Sequence, residues 1–315
     1  MLRRIADHLF WMARYMERAE WRARLADVNY HLLVQSSSND PYPWKLLLLI
    51  TGELDLFAEY FEAPTEDAVL EFFGFDARNP SSIRSCINAA RENARGLRHR
   101  ISSELWIEVN TLYLDALNWS PDTFQRMGVY GFFAELKERF YRIAGICQGT
   151  LPRDLAYEFL QLGTMLERAE SVSRLLDVKY HFLLPHVEDV GGPIDRMQWA
   201  SVLRSASAFE AYRRVYGNAI TVNNVVEYLL FDPGFPRSAV FCFDRLEESL
   251  VRIAAAAGEG APSAPDPVSE AFARALRDNH ARAILNAGLH EFLLEVQDHC
   301  AAVGSMIFNR YLRFE

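Results

Sequence analysis

Two stretches of the chain place ionisable side chains at the spacing of one helix face. In YMERAEWRARLADVNYHL (15–32), Glu17, Glu20, Arg24, Asp27 and His31 follow at i, i+3, i+7, i+10 and i+14. On an α-helix that spacing confines them to about 80° of arc. In MLERAESVSRLLDVKYHF (165–182), Glu167, Glu170, Arg174, Asp177 and His181 repeat it. A bundle helix normally keeps this spacing for its apolar seam.

Three kinds of chemistry suit such a stripe. Charges of alternating sign at i,i+3 and i,i+4 form a ladder of ion pairs, each worth ~0.2–0.5 kcal/mol when exposed. If the ladder is buried, losing one partner costs about 3–5 kcal/mol. The carboxylates can instead receive an amine, with Arg18 and Arg168 beside them as further binding groups. Glu17 and Glu167 can also serve as paired general acid and base, which requires a cleft that raises at least one carboxylate pKa.

A metal site is weighed and disfavoured. Di-iron bundles use Glu-x-x-His, whereas this chain offers Glu-x-x-Glu and Asp-x-x-x-His with Arg24 and Arg174 among them. No cofactor is evident from the sequence, and its identity stays unassigned. A second polar stripe, Arg84, Asn88, Arg91, Arg95 and Arg98, could clamp a phosphate or carboxylate. The competing reading is that the arginine stems cover apolar surface.

Helices must position these groups. Ile83, Ile87, Ala90, Ala94, Leu97 and Ile101 recur at spacings of four and three, which predicts a helix over 83–101. Asp76, Asn79 and Ser81 offer cap oxygens ahead of it. No sustained period-two alternation argues for a sheet, so the expected fold is all-α. Breaks are expected at 36–43, 118–122, 149–154, 185–193, 232–236 and 257–267, the last rich in Ala, Gly and Pro.

The parallel between the two stretches extends beyond the stripe. Eleven of the seventeen positions in 17–33 are identical in 167–183. Trp44 then matches Trp199, each expected near a helix start, and EFFGFDARNPSSIRSC (71–86) matches EYLLFDPGFPRSAVFC (227–242). Three anchors in one order indicate internal duplication, with repeats near 1–150 and 151–315 in a pseudo-symmetric bundle forming a single domain.

Composition narrows the function classes. A net charge of −9 disfavours a nucleic-acid binder. The longest apolar run, LLLLI at 46–50, is far too short for a membrane span, and the amino terminus becomes charged too early for a signal peptide. Four scattered cysteines form no zinc or disulfide pattern, so the expected compartment is the cytoplasm. Nucleotide-binding and hydrolase motifs such as GxGxxG, GxxxxGK, GxSxG and HExxH are absent. Isolated histidines such as His280 and His290 read as ordinary surface or core residues, and Cys86 and Cys242 as small buried ones.

With FWMARYMERAEWRARLADV, LGTMLERAESVSRLLDV, SIRSCINAARENARGLRHRISSELW and EYLLFDPGFPRSAVFC, the chain resembles the bacterial alpha-E family over essentially its whole length. The family's Glu-Arg motif falls on Glu17-Arg18 and Glu167-Arg168, while Ala13 stands where the family pattern suggests Gly. The resemblance implies a helical accessory protein of an ATP-grasp ligase in an amide- or peptide-forming pathway. The ligase is expected to act in trans, and the ligand to be an amino acid or peptide. An enzyme using the paired glutamates and a purely structural assembly protein are the alternatives.

Overall fold

The computed structural model describes residues 2–36, 42–182, 191–256 and 267–313. Among them there is no strand, and the fold is all-α. They form two compact units, 1–163 and 164–315. The expected breaks at 36–43, 185–193 and 257–267 lie largely outside the described residues.

The first unit is built on α1 (Arg3–Ser36), followed by α2 (Tyr42–Thr51), α3 (Leu54–Ala58), α4 (Glu66–Gly74), α5 (Ile83–Arg95), α6 (Ser103–Ala116), α7 (Pro121–Met127) and α8 (Val129–Thr150). Helix α9 (Leu155–Phe182) runs through the boundary into the second unit. α1 packs along α5 and α8, and α6 lies against both of those. From Ala19 to Asn29 every residue of α1 is buried. A helix enclosed on all sides must satisfy its charged groups from neighbouring elements.

α5 shows how local sequence sets an element. Its apolar seam of Ile83, Ile87, Ala90 and Ala94 is fully buried, and Ser82 caps its start by accepting from Ser85 N at 3.2 Å. The expected cap residues act one step earlier. Asp76 Oδ1 accepts from Arg78 N, and Asn79 Oδ1 accepts from Ser81 N, which shapes the turn before the helix. The helix is also shorter than its periodicity suggests. It ends at Arg95 with Gly96 as C-cap, and Leu97 and Ile101 stay buried from the turns that follow.

Gly163 marks a close crossing of α9 and α1. A Cβ there would overlap the Phe10 carbonyl oxygen and stand 3.0 Å from the Ala13 Cβ. Only the missing side chain lets the two backbones approach so closely.

The second unit continues from α9 with α10 (Pro193–Ser205), α11 (Phe209–Tyr216), α12 (Val222–Val226), a π-helical turn (Glu227–Phe231), α13 (Ala239–Ala256), α14 (Pro267–Asp278), α15 (Ala281–Ala287), α16 (Leu289–Ile307) and a final π-helical turn (Phe308–Leu312). Trp199 sits in the middle of α10, whereas Trp44 is near the start of α2; the difference arises because α10 opens at Pro193, six residues earlier. Glu227 Oε2 accepts from Ala281 N at 2.7 Å, satisfying a free amide at the start of α15.

The two units repeat several local devices. Gly52 (φ +69°) and Ser207 (φ +56°) each turn the chain in the left-handed region. The next residue then donates back to the helix, Glu53 N to Leu48 O at 2.8 Å and Ala208 N to Leu203 O at 2.7 Å. Thr65 and Thr221 cap the following helices, and Ser82 and Ser238 cap α5 and α13. Cys86 and Cys242 are buried one turn later, and their thiols donate to the carbonyls of Ser81 and Pro236. α8 and α16 both start after a positive-φ glycine, Gly128 and Gly288.

Candidate functional site

In the first unit the ladder of α1 meets α8. Glu20, Arg24 and Asp27 are buried at 5 %, 4 % and 5 % exposure. Arg24 forms an ion pair with Glu20 one turn back, and its Nη1 donates to Tyr141 Oη at 3.1 Å. Lys137 Nζ donates to Asp27 Oδ2 at 2.5 Å. His31 Nε2 stands 3.7 Å from Asp27 Oδ1, too far for a hydrogen bond, and its ring meets Tyr130 edge-on at 5.1 Å. The stripe therefore passes from a closed floor to an open rim, where His31, Tyr130 and Tyr141 are about half exposed.

Sequence reasoning placed the α1 half of this constellation and missed the α8 half. Tyr130, Lys137 and Tyr141 are spaced i, i+7 and i+11, so they also share one helix face. That spacing was readable, but nothing in sequence says which two helices meet.

The same α1 segment carries a second ion pair on another face. Arg22 donates two hydrogen bonds to Glu53, 2.9 Å from Nη1 to Oε1 and 2.7 Å from Nη2 to Oε2. Thr51 Oγ1 also donates to Glu53 Oε2 at 3.0 Å. Arg22 was not among the expected site residues, and its 1 % exposure marks it as a core group.

The corresponding stripe of the second unit is looser. Glu167 is buried, whereas Glu170 and Arg174 pair at 3.1 Å with about a third of each side chain exposed. Asp177 Oδ1 lies 2.6 Å from His290 Nδ1 on α16. His290, isolated in sequence, is the partner of a ladder carboxylate. His181 lies in α9, and its side chain is outside the described residues. Glu17 and Arg18 are half-buried on α1, and Arg168 Nη1 donates to the Pro236 carbonyl at 3.4 Å.

The arginines of the α5 stripe are engaged by neighbouring groups of the protein. Arg84 donates to the Trp119 carbonyl at 3.3 Å. Arg91 donates to Asn110 and Glu92 and lies over the rings of Trp106 and Tyr113. Arg95 pairs with the same Glu92 at 2.8 Å. Carboxylate, carbonyl and ring partners hold these guanidinium groups against their neighbours.

Among the described residues no group of three or more His, Cys, Asp and Glu side chains could hold a metal ion. Nor is any described helix long and apolar enough to cross a membrane.

An all-α fold that carries Glu-Arg on each of its two longest helices defines the class of this protein. A family model described as a predicted alpha-helical domain with a conserved ER motif matches residues 1–312, and the chain belongs to this Alpha-E family. Similar curated proteins include an uncharacterized protein of Mycobacterium bovis and uncharacterized proteins of two Mycobacterium tuberculosis strains. Each is 23% identical over 328 aligned residues, covering 94% of this chain and 36% of the relative. The chain thus spans little more than a third of the relatives it matches. No solved structure matches it.

Proposed function

We propose that this protein holds an amino-acid or peptide substrate for an ATP-grasp-type ligase in an amide- or peptide-forming pathway. The observation that carries the reading is the floor-and-rim construction on α1 and α8. Buried Glu20, Arg24 and Asp27 fix the geometry, and half-exposed His31, Tyr130 and Tyr141 face solvent above them. A purely structural ladder has no need of such a rim. In the mycobacterial relatives the matched region is joined to a longer remainder, which suits a helical module that works beside another protein. The test is ADP release by the family's ATP-grasp protein, supplied with amino acids or tri-alanine, with and without this chain. A rate that rises several-fold with the chain supports the reading; equal rates at saturating chain overturn it.

A structural assembly role is the second reading, favoured by the buried Arg22–Glu53 pair. Under that reading, changes at His31 alter neither ligase turnover nor melting. The cytoplasm remains the proposed compartment, supported by four cysteines that form no disulfide. Internal duplication also remains a proposal, supported by the matched turns, caps and buried cysteines of the two units.

A further inference from the structure

Helix α6 is apolar on two opposite faces. Leu105, Val109, Leu112 and Ala116 form its buried seam, on the side where it packs with α5 and α8. On the outward side Ile107, Thr111 and Leu114 follow at spacings of four and three, with Asn118 one turn further, just past the helix end. Ile107 is 60% exposed and Leu114 50%, and Leu117 is exposed beside them. These are the spacings of a coiled-coil seam, here turned to solvent. The outward side of a surface helix normally carries charge, as α14 does with exposed Arg274, Arg277 and Asp278.

Charge is confined to one flank of this ridge. Glu108 and Asp115 directly follow Ile107 and Leu114, the flanking positions whose charges set partner and orientation in a coiled coil. α8 runs antiparallel to α6 beside them: Thr150 near its end donates to Ser102 at the start of α6, and Arg139 bonds both Glu108 and Asp115. At the Glu108 end two cations share one carboxylate, and the second, Arg142, is 57% exposed and held only at 3.5 Å. At the Asp115 end the carboxylate is half exposed. The other flank is Asn110 and Leu117, and Arg91 beyond it is paired with Glu92.

We propose that this ridge binds a second copy of the chain, α6 against α6 in antiparallel order. Ile107 and Leu114 lie two turns apart, about 10.5 Å along the helix. Reversing one copy about their midpoint sets Ile107 of each against Leu114 of the other. One surface thus complements itself, as a two-fold contact requires. The same reversal brings Asp115 of each copy within about one turn of Arg142 of the other, so two ion pairs cross the interface. Exposed Glu104, at the start of the seam, comes beside uncharged Asn118. Parallel helices would set Asp115 against the flank of Asn110 and Leu117, where it meets no cation. Charge therefore selects the antiparallel order.

The experiment is sedimentation equilibrium of the full chain at about 5–300 µM, a range suited to a contact one helix wide. Wild type should pass from monomer to dimer, and Leu114→Glu, which buries a charge in the seam, should weaken the dimer about tenfold or more. Charge reversal reads the orientation. Asp115→Arg alone and Arg142→Glu alone each place like charges at both crossings and should stay largely monomeric. Their equimolar mixture restores opposite charges at both crossings and should dimerise again. Circular dichroism checks that each variant is folded. Should Asp115→Arg be unfolded, wild type against Arg142→Glu decides, with several-fold weaker association expected of the variant and equal association overturning the proposal. Wild type monomeric throughout, Leu114→Glu associating as well as wild type, or a mixture no heavier than its components each overturns it.

Discussion

Arg22 and Glu53 face each other through two parallel hydrogen bonds, and the guanidinium carbon stands 3.9 Å from the centre of the Phe73 ring. Buried and bidentate, this pair ties α1 to the turn between α2 and α3. Under the proposed duplication, the aligned positions of the second unit are Val172 and Ala208, both buried. One unit has charge at both positions and the other has none. That is the pattern expected when a buried charge is tolerated only with its partner.

Removing one member of the pair should therefore be worse than removing both. Arg22→Val alone or Glu53→Ala alone should cost about 3–5 kcal/mol, because each strands a buried charge. The double variant should recover much of that loss. Urea denaturation of the four proteins in a double-mutant cycle measures the coupling, and additive losses would count against it.

Lys137→Met tests the floor of the candidate site. It leaves Asp27 buried without its cation and should cost about 3 kcal/mol. Lys137→Arg should retain most of the stability, since a guanidinium can reach the same oxygen. Equal melting temperatures for wild type and Lys137→Met would show that the pair contributes nothing.

Gly163→Ala should destabilise the first unit by about 1–3 kcal/mol, the usual range for inserting a methyl into packed structure. The added carbon meets a backbone carbonyl that cannot rotate aside. Gly145→Ala has open space around it and serves as the comparison: in the interior of α8 it should be neutral or slightly stabilising. Similar melting curves for the two variants would contradict the close crossing.

Acid should weaken the turn before α5. The Arg78 guanidinium bonded to Asp76 holds its carboxyl below the ordinary carboxylate range. A lowered folded-state pKa contributes stability above the unfolded value near 3.8 and loses it as pH falls through the folded value. Asp76→Asn should thus lower the melting temperature at pH 7 and make little difference near pH 2. A loss of equal size at both pH values would mean that the Asp76–Arg78 ion pair is not what holds the turn.

The thiols should be slow to react in the folded protein. Cys86, Cys242 and Cys300 are buried, and burial pushes the Cys147 thiol up to about 12, so little thiolate forms near neutrality. Ellman's reagent should detect all four cysteines in guanidinium chloride and no fast-reacting one in its absence.

Residue spacing alone determined the helical fold class, the seam of α5 and the two charged stripes, because helix periodicity is a local property of the chain. It also placed Glu20, Arg24, Asp27 and His31 on one face. Partner choice was not local. Lys137 lies 110 residues from Asp27, and His290 lies 113 from Asp177, so only chain packing could join them. Likewise nothing in the sequence marked Arg22, which lies off the stripe, as a core group facing Glu53. On α5, spacing put Arg84, Arg91 and Arg95 on one face, but only packing could bring Glu92, Asn110 and the rings of Trp106 and Tyr113 against Arg91. A charged side chain takes its meaning from what is packed around it, and that surrounding is set by tertiary structure.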